Sequence, residues 1–285
     1  TGTQEAWRQV FAGPMKGLPI LRVVVTHMHP DHMGLAHWLC AEFKAPLWMS
    51  ATEFQAALLA TTGASNFGGL STQKFFADHG WNDPSDQQQI KDRISYYAKM
   101  VPEIPESYHR LMHDHTLTIG GNTWRCISGW GHSPEHMALY CDDKQVLISG
   151  DMVLPKISTN VSVYAQEPEA NSLALFMQSL HRFDDLPEGT LVLPSHGRPF
   201  RGLHTRTAQL LQHHEERLRE VLEACAEQAG SAHDMLKVIF KRPLDFHQTT
   251  FAIGESVAHL HALWFAGKMS RAKDAQGVWR FKTLT

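Results

Sequence analysis

The first fifty residues alternate between apolar runs and short polar segments, and this alternation predicts the start of an α/β domain. Residues 21–25 (LRVVV) are rich in β-branched side chains, which is typical of a buried strand. Residues 34–43 place apolar side chains at helical spacing, and residues 46–49 form a second apolar run. With a short helix expected at 5–12, the order of elements favours a layered α/β architecture.

A more polar stretch at 51–113 then interrupts the strands. Helices are expected at 51–60 and 84–100, with a loop rich in glycine and threonine at 61–70 between them. We therefore predict that 51–113 is a helical insertion. Strands resume after it at 116–119, 123–127, 137–141, 146–148 and 190–193, with a hairpin turn at Gly120-Gly121-Asn122 and a helix at 172–183.

After Gly202 the apolar positions follow helical spacing almost to the end of the chain. Helices are predicted at 205–229, 232–240 and 249–266, and a short β-hairpin is predicted to end near 277–281. Three helices followed by a hairpin are the order of a small winged-helix-like module. We therefore predict a first domain at 1–202, which contains the insertion, and a C-terminal module at 203–285.

Composition excludes some classes of protein and draws attention to one residue type. The chain has 285 residues, 43% of them hydrophobic, and a formal net charge of -3, which gives no overall indication of a nucleic-acid or membrane partner. No apolar run approaches the roughly 20 residues that span a bilayer. Four cysteines without CxxC spacing indicate reduced thiols and hence a cytoplasmic protein. Nineteen histidines are unusually many, and histidine is the commonest side-chain metal ligand.

The strongest chemical signal is the segment His27-x-His29-x-Asp31-His32, which directly follows the first predicted strand. Imidazole nitrogens and carboxylate oxygens suit zinc, and also iron or manganese. His27 and His29 are two residues apart at the end of a strand, so both side chains can face the same way. Asp31 and His32 lie around the following turn, where they can face a second metal ion. Four ligand-type residues within six positions predict a metal site.

Three later segments repeat this arrangement, each with a histidine or an aspartate just past a predicted strand. They are Gly131-His132-Ser133-Pro134-Glu135-His136, Ser149-Gly150-Asp151 and Pro194-Ser195-His196-Gly197. Loops that a rigid scaffold positions are the usual place for binding and catalytic groups. Among the other histidines, His113 and His115 are assigned to structure or to the pocket lining. His213 and His214 are placed on a solvated helix face, and His259 and His261 on different faces of their helix.

In this order, the four segments resemble the motifs of the metallo-β-lactamase superfamily, in particular those of its glyoxalase II-like hydrolases, over roughly residues 1–200. The resemblance implies a four-layer αββα sandwich. In that family several strands come before an Asp-Thr-Gly motif, and Thr1-Gly2 resembles the end of that motif. We therefore expect this sequence to lack the first strands of the fold.

The resemblance also implies a binuclear centre. Carried over residue by residue, His27, His29 and His132 bind the first metal ion, Asp31, His32 and His196 bind the second, and Asp151 bridges the two ions. Two divalent ions, zinc in the first place and iron or manganese as alternatives, lower the pKa of a shared water, and the bridging hydroxide attacks a carbonyl or phosphoryl centre.

Of the ligands, the carboxylates Asp31 and Asp151 are also assigned to catalysis. Four further residues are assigned to the surroundings of the centre. His136 is expected to orient one of the ligands. Glu135 stands where the family loop often has glycine and adds a carboxylate near the site. Asn160 and Tyr164 are expected to shape the substrate pocket.

Two enzymatic functions are compatible with these features. The first is hydrolysis of a small ester, thioester or lactone in a largely apolar pocket under the 51–113 insertion, which lies beside the mouth of the site. The second is cleavage of RNA or another phosphodiester, because the C-terminal module resembles the winged-helix tail of β-lactamase-like endoribonucleases. Residues 231–285 carry eight Lys/Arg against four Asp/Glu, a mild basic bias.

We favour the small-molecule substrate, because no basic stripe rich in aromatic residues is visible for stacking bases. The C-terminal module is then a packing unit, or the contact of a homodimer, remote from the site. A third hypothesis, a non-catalytic sensor that retains the metals, is disfavoured by the intact ligand set.

Overall fold

The computed structural model describes residues 2–63 and 67–284. Within these residues, three parallel strands form the first sheet. They are β1 (Val23–Val24), β2 (Leu47–Ser50) and β3 (Tyr108–Leu111), in the order β1-β2-β3. The strands predicted at 21–25 and 46–49 are thereby confirmed. The helices that precede and connect β1 and β2 are α1 (Gly2–Ala12), α2 (Pro30–Met33) and α3 (Ala36–Phe43).

The segment 51–113 is helical only in part. It contains α4 (Ala51–Thr61), α5 (Leu70–Asp78), α6 (Pro84–Asp92) and α7 (Tyr96–Met100), but its last part is β3. The prediction of a helical insertion up to residue 113 is therefore wrong at that end, because β3 is a strand by virtue of its parallel pairing with β2, a partner distant in sequence. Helix α5 was not predicted, and residues 64–66 of the predicted loop lie outside the described residues.

Five further strands among the described residues form the second sheet. They are β4 (Thr116–Ile119), β5 (Asn122–Gly129), β6 (His136–Cys141), β7 (Val146–Gly150) and β8 (Leu191–Pro194), in the order β4-β5-β6-β7-β8. The predicted hairpin turn is confirmed: Gly120 and Gly121 both have positive φ angles, 58° and 78°, which the two-residue turn between β4 and β5 requires. The last pair, β7 and β8, is parallel and is connected through α8 (Ser172–Leu180).

Three clusters of buried side chains show how these elements are layered. One cluster lies between the sheets and joins Leu111 of β3 to Cys126 and Leu139 of the second sheet. A second cluster packs Leu47 and Met49 of β2 against α3, α4 and α7. The largest cluster packs the other face of the second sheet against α8 and the C-terminal helices. The order helix, sheet, sheet, helix agrees with the predicted α/β sandwich, whereas the expectation about earlier strands stays a prediction.

The C-terminal region consists of three helices and a hairpin, as predicted. These elements are α9 (Leu203–Glu227), α10 (Ala232–Ile239), α11 (Phe246–Phe265), β9 (Met269–Lys273) and β10 (Trp279–Thr283). Helices α10 and α11 begin with capping boxes, in which Ser231 and Asp245 each accept a hydrogen bond from the backbone three residues later. Among the described residues, no helix combines the length and the hydropathy needed to cross a bilayer.

The C-terminal helices belong to the main hydrophobic core rather than to a separate one. Leu260 and Phe281 lie in the same buried cluster as Ile127 of β5 and Phe176 of α8. The prediction that His214 is solvated is wrong: His214 is fully buried, beside His259 of α11, because α9 is covered on that side. The C-terminal region is therefore not the remote packing module that was expected. It completes the hydrophobic core that covers one face of the second sheet.

Candidate metal centre

The first histidine segment forms a tight turn directly after β1. His27 is fully buried, and His29 precedes Pro30, the first residue of the short helix α2. Proline is favoured at this position because its missing N–H would have no partner in the first turn of a helix. Asp31 and His32 lie on α2, just after His29. The ring of His32 packs against that of His27, with 4.0 Å between the ring centroids, so this turn brings the four ligand-type side chains into one cluster.

Three ring nitrogens meet at one point to form the first triad: His27 Nε2, His29 Nδ1 and His132 Nε2. Their separations are 3.0 Å, 3.1 Å and 3.2 Å. Nitrogens that each lie about 2.0–2.1 Å from a tetrahedral zinc ion are about 3.3 Å from one another, so the triad fits such an ion. Burial lowers the pKa of His29 to about 3 and that of His27 well below its usual value. The rings are therefore neutral and offer lone pairs.

The second triad consists of Asp31, His32 and His196. His32 Nε2 lies 3.3 Å and His196 Nε2 lies 3.1 Å from Asp31 Oδ2. Burial lowers the pKa of His32, but hydrogen bonds to Asp151 and Asp31 outweigh this effect and raise the pKa to about 9. The first triad is mostly buried, whereas Asp31 and His196 are exposed, so solvent reaches the centre from the side of the second triad.

Asp151 lies between the two triads. Its Oδ2 is 3.5 Å from His132 Nε2 and 3.5 Å from His196 Nε2, and its Oδ1 is 3.5 Å from His32 Nε2. Although burial opposes ionisation, the hydrogen bond from His32 and the surrounding histidines hold the pKa of Asp151 well below its usual range. The structure thus brings together all seven residues that the sequence proposed as ligands, around one shared carboxylate.

His136 and Gly150 fix the position of Asp151. The backbone N–H of Asp151 donates to His136 Nε2 at 3.1 Å. A Cβ on Gly150, whose φ is +54°, would overlap the same nitrogen, so the position cannot hold a side chain without displacing His136. His136 therefore contacts the backbone of the central aspartate, and its role in orienting a ligand stays a prediction.

Comparison with known proteins shows which family has this arrangement. Residues 1–196 match the Metallo-beta-lactamase superfamily, and residues 218–284 match a domain described as Metallo-beta-lactamase-like, C-terminal domain. The chain belongs to the metallo-β-lactamase superfamily.

Individual relatives support this membership over nearly the whole length of the chain. A beta-lactamase domain protein of known structure from Burkholderia ambifaria is 47% identical, with a TM-score of 0.91 over 99% of this chain and 80% of that chain. A metallo-beta-lactamase family protein of known structure from Thermus thermophilus is 26% identical, with a TM-score of 0.73 over 93% of this chain and 80% of that chain. A Bacillus subtilis protein described as a probable metallo-hydrolase is 22% identical over 99% of this chain and 88% of its own length.

The other residues assigned to the site have different roles from the ligands. The Glu135 carboxylate accepts a hydrogen bond from Thr52 Oγ1 at 2.8 Å, so it is engaged outside the two triads. The Asn160 carbonyl accepts a hydrogen bond from His132 Nδ1 at 2.8 Å, which leaves the other ring nitrogen of His132 free to face the triad. The Asn160 side-chain amide instead donates to Glu255 Oε2 at 3.0 Å.

A pocket of about 370 Å³ borders the first triad at His29 and His132, and Tyr164 is one of its lining residues. Its apolar wall comes from helix α4 and from aromatic side chains on both sides, and the described lining residues include no lysine or arginine. The lining residues are Met28, His29, Ala56, Leu59, Ala60, Phe67, Trp130, Gly131, His132, Ser133, Pro134, Ser162, Tyr164, Gln166, Glu167, Ala170, Ser172 and Leu175.

Sequence reasoning missed Glu53, a fully buried residue in the first turn of α4. Glu53 Oε2 accepts from the Met28 backbone N–H at 2.7 Å, and Oε1 accepts from Ser133 Oγ at 2.5 Å and from the Glu135 N–H at 2.7 Å. One carboxylate therefore holds both loops of the first triad. The only local signal was Ser50-x-x-Glu53, the spacing of a capping box, which predicts a glutamate that turns back to its own helix.

Burial of Glu255 leads to a testable dependence of stability on pH. Burial raises the pKa of Glu255 to about 7, against the effect of the hydrogen bond from Asn160. The folded chain then binds more protons than the unfolded chain between about pH 4.5 and 7, so its stability falls as pH rises through this range and the loss persists above it.

Glu255→Gln cannot ionise at this position. We therefore expect the difference in free energy of unfolding, Glu255→Gln minus wild type, to be roughly 2–3 kcal/mol larger at pH 8 than at pH 5. Urea denaturation of the metal-free proteins at both pH values measures this difference. Glu227→Gln, on the exposed end of α9, is the matched control and should show little change. An equal difference between wild type and Glu255→Gln at both pH values would contradict the prediction.

Proposed function

We propose that this chain is a binuclear metal-dependent hydrolase that acts on a small ester, thioester or lactone. The observation that carries the proposal is the pair of triads that share Asp151. His27, His29 and His132 would hold one divalent ion, Asp31, His32 and His196 the other, with zinc as the first candidate and iron or manganese as alternatives. When bound, such ions supply Lewis acidity and activate a water molecule at neutral pH.

The chain's own residues would orient the reaction. Asp151 supplies negative charge to both sides of the centre, and His136 holds its backbone. The pocket beside His29 and His132 gives an acyl group an apolar environment, and Tyr164 and Ser162 offer polar atoms at its wall. A largely apolar pocket, whose described lining residues include the carboxylate of Glu167 but no lysine or arginine, suits a small neutral substrate better than a polyanion.

The proposal also includes the finer assignments made from the sequence. We propose the domain division at residue 202 as a boundary between two regions of the sequence that share one hydrophobic core. We also propose a glyoxalase II-like mechanism and a cytoplasmic location, the last in keeping with four free cysteines. The name of the Bacillus subtilis relative, a probable metallo-hydrolase, supports the reaction class. Homodimer formation stays a prediction.

Metal analysis together with a substrate screen tests the proposal. We expect two metal ions per chain after reconstitution with zinc, manganese or iron, and turnover of at least one member of a panel of neutral esters, thioesters and lactones. Elemental analysis measures the first result and steady-state kinetics measures the second. Less than one metal ion per chain in a folded protein would contradict the ligand assignment, and two ions without turnover of any panel member would contradict the substrate class.

The alternative, an endoribonuclease, rests on the order of helices and hairpin in the C-terminal region and on its mild basic bias. Much of that positive charge is neutralised within the fold. Lys241 pairs with Glu220, Lys273 with Asp78, and Arg280 with Asp234 and Asp274. Arg271 pairs with Glu169 and lies between the rings of Trp264 and Trp279. These contacts favour a structural role for the cations.

The two reaction classes differ in their response to salt. Phosphate contacts release counterions, so cleavage of single-stranded RNA should weaken steeply between about 50 and 200 mM salt, whereas hydrolysis of a neutral ester should change little. Arg242 and Lys268 are suitable for neutralisation because both are exposed. Arg271 is half-buried in its ion pair with Glu169, and deletion of the whole region would remove part of the main core. Salt-sensitive RNA cleavage that Arg242→Gln and Lys268→Gln abolish, with no ester turnover, would favour the alternative.

A further inference from the structure

The loop at 159–164 connects the metal centre to the C-terminal helix α11. On one side, Thr159 Oγ1 donates a hydrogen bond to the backbone carbonyl of Asp151, and the Asn160 carbonyl accepts the hydrogen bond from His132 Nδ1. Further along the loop, Ser162 and Tyr164 line the pocket. One short loop thus contacts the central aspartate, a histidine of the first triad and the pocket wall.

Helix α11 holds this loop from the other side. Glu255 Oε2 accepts from Asn160 Nδ2 at 3.0 Å, and the carbonyl of Gly254 accepts from the Val163 N–H at 3.1 Å. The helix approaches so closely at Gly254 that a Cβ there would lie 2.8 Å from the side chain of Ser162. A larger residue at position 254 would force the loop and the helix apart.

Glu255 brings a carboxyl group to this contact, and it is only 7% exposed. A buried carboxylate is costly unless a hydrogen-bond donor compensates it, and the Asn160 amide is such a donor. Asn160 makes both contacts: its side-chain Nδ2 donates to Glu255, and its backbone carbonyl accepts from His132. Its side-chain Oδ1 also accepts a hydrogen bond from Ser162 Oγ at 2.9 Å. A fixed Asn160 side chain therefore restricts the backbone atom that orients the imidazole.

We propose that Glu255 is a positioning residue, through which the C-terminal helix α11 fixes Asn160 and so orients His132 for metal binding. This inference rests on the proposed function, since it assumes that the first triad holds a metal ion. It assigns to the C-terminal region a part in the metal centre, in addition to its part in the core. The partner that accepts a histidine's second N–H sets the orientation of the ring, and the loss of such a partner typically weakens metal affinity 10–100-fold.

The test measures zinc affinity in the full chain by competition with a chromogenic chelator. We expect Glu255→Ala to weaken zinc binding by about tenfold, because the Asn160 side chain loses its anchor on α11 and keeps only the hydrogen bond from Ser162 within its own loop, while its backbone carbonyl remains. Glu255→Gln keeps an acceptor oxygen and should restore near wild-type affinity. Repeating the titration in a His196→Ala background, which removes a residue of the second triad, assigns the loss to the first triad.

A double-mutant cycle tests the route through Asn160. If Glu255 acts by fixing Asn160, then Asn160→Ala alone and the double variant should both weaken zinc binding about as much as Glu255→Ala. Lys273→Met is the matched control, since it removes another contact between the C-terminal region and the rest of the chain, the Lys273–Asp78 ion pair. Cobalt(II) absorption spectra should change in the Glu255→Ala and Asn160→Ala variants and stay unchanged in the control.

Several outcomes would overturn the inference. Additive effects of the two substitutions, or an effect of Glu255→Ala no larger than that of Lys273→Met, would contradict a route through Asn160. If Glu255→Ala does not fold, Asn160→Ala, which leaves α11 intact, decides the question by the same titration. A folded wild type that binds no zinc, manganese or iron would overturn the proposed function itself, whereas tight binding that neither variant changes would overturn this inference alone.

Discussion

Replacement of Asp151 by asparagine is expected to lower kcat/KM by about three orders of magnitude, which corresponds to roughly 4 kcal/mol of lost transition-state stabilisation. The carboxylate oxygens of Asp151 lie 3.5 Å from nitrogens of both triads, so one substitution removes negative charge from both sides of the centre. An asparagine keeps the size of the side chain and leaves the backbone hydrogen bond to His136 in place. The fold should therefore survive while metal binding weakens.

Steady-state kinetics on the best substrate of the screen, together with elemental analysis, measures both parts of this prediction. Asp143→Asn provides a matched control, because Asp143 is an exposed turn residue between β6 and β7 and its loss removes the same charge elsewhere. Near wild-type turnover of Asp151→Asn with two bound ions would show that the central carboxylate is not required. A loss of activity without any loss of metal would place its contribution in the reaction rather than in binding.

The parts of this site that the sequence could predict are local in the chain. His27, His29, Asp31 and His32 lie within six residues after a strand, so strand geometry and one helical turn determine where they point. The later ligands, His132, Asp151 and His196, follow strands of one sheet, whose ends the fold brings together. Local patterns therefore contained most of the information about the ligand cluster.

The parts that were missed depend on contacts between distant segments. Strand β3 has the sequence Tyr-His-Arg-Leu and little apolar alternation, and only its pairing with β2 makes it a strand. Glu53 has the spacing of an ordinary helix cap, and the two histidine loops are what bury it. The sequence of helix α11 did contain one indication of its central position. Its residues are apolar or small on nearly every face, which is typical of a helix buried in the core.

Replacement of Glu53 by alanine is expected to cost about 3–5 kcal/mol in the free energy of unfolding and to abolish tight metal binding by the first triad. The substitution leaves three buried donors without their acceptor: the N–H groups of Met28 and Glu135 and the hydroxyl of Ser133. Because Met28 lies between His27 and His29, and Ser133 follows His132, both loops of the triad lose the group that joins them.

The conservative variant separates the loss of charge from the loss of contact. In Glu53→Gln the amide oxygen can still accept from Ser133 and Glu135, but the amide N–H atoms then face the Met28 N–H, donor against donor. We therefore expect Glu53→Gln to cost about 1–3 kcal/mol, less than alanine, and to recover part of the zinc affinity. Glu42→Ala, an exposed glutamate on α3, is the matched control for a lost carboxylate on a helix.

Urea denaturation of the metal-free proteins and zinc titration of the folded variants measure the two effects separately. If Glu53 had a structural role only, both replacements would lower the free energy of unfolding but leave the zinc affinity of the folded fraction unchanged. If the Glu53 carboxylate joins the two loops, its loss should lower both stability and zinc affinity, more in Glu53→Ala than in Glu53→Gln. The reason is that His29 Nδ1 and His132 Nε2 must lie within about 3 Å of each other to share one ion. Stability and zinc affinity of Glu53→Ala equal to those of Glu42→Ala would show that the loops hold their geometry without Glu53.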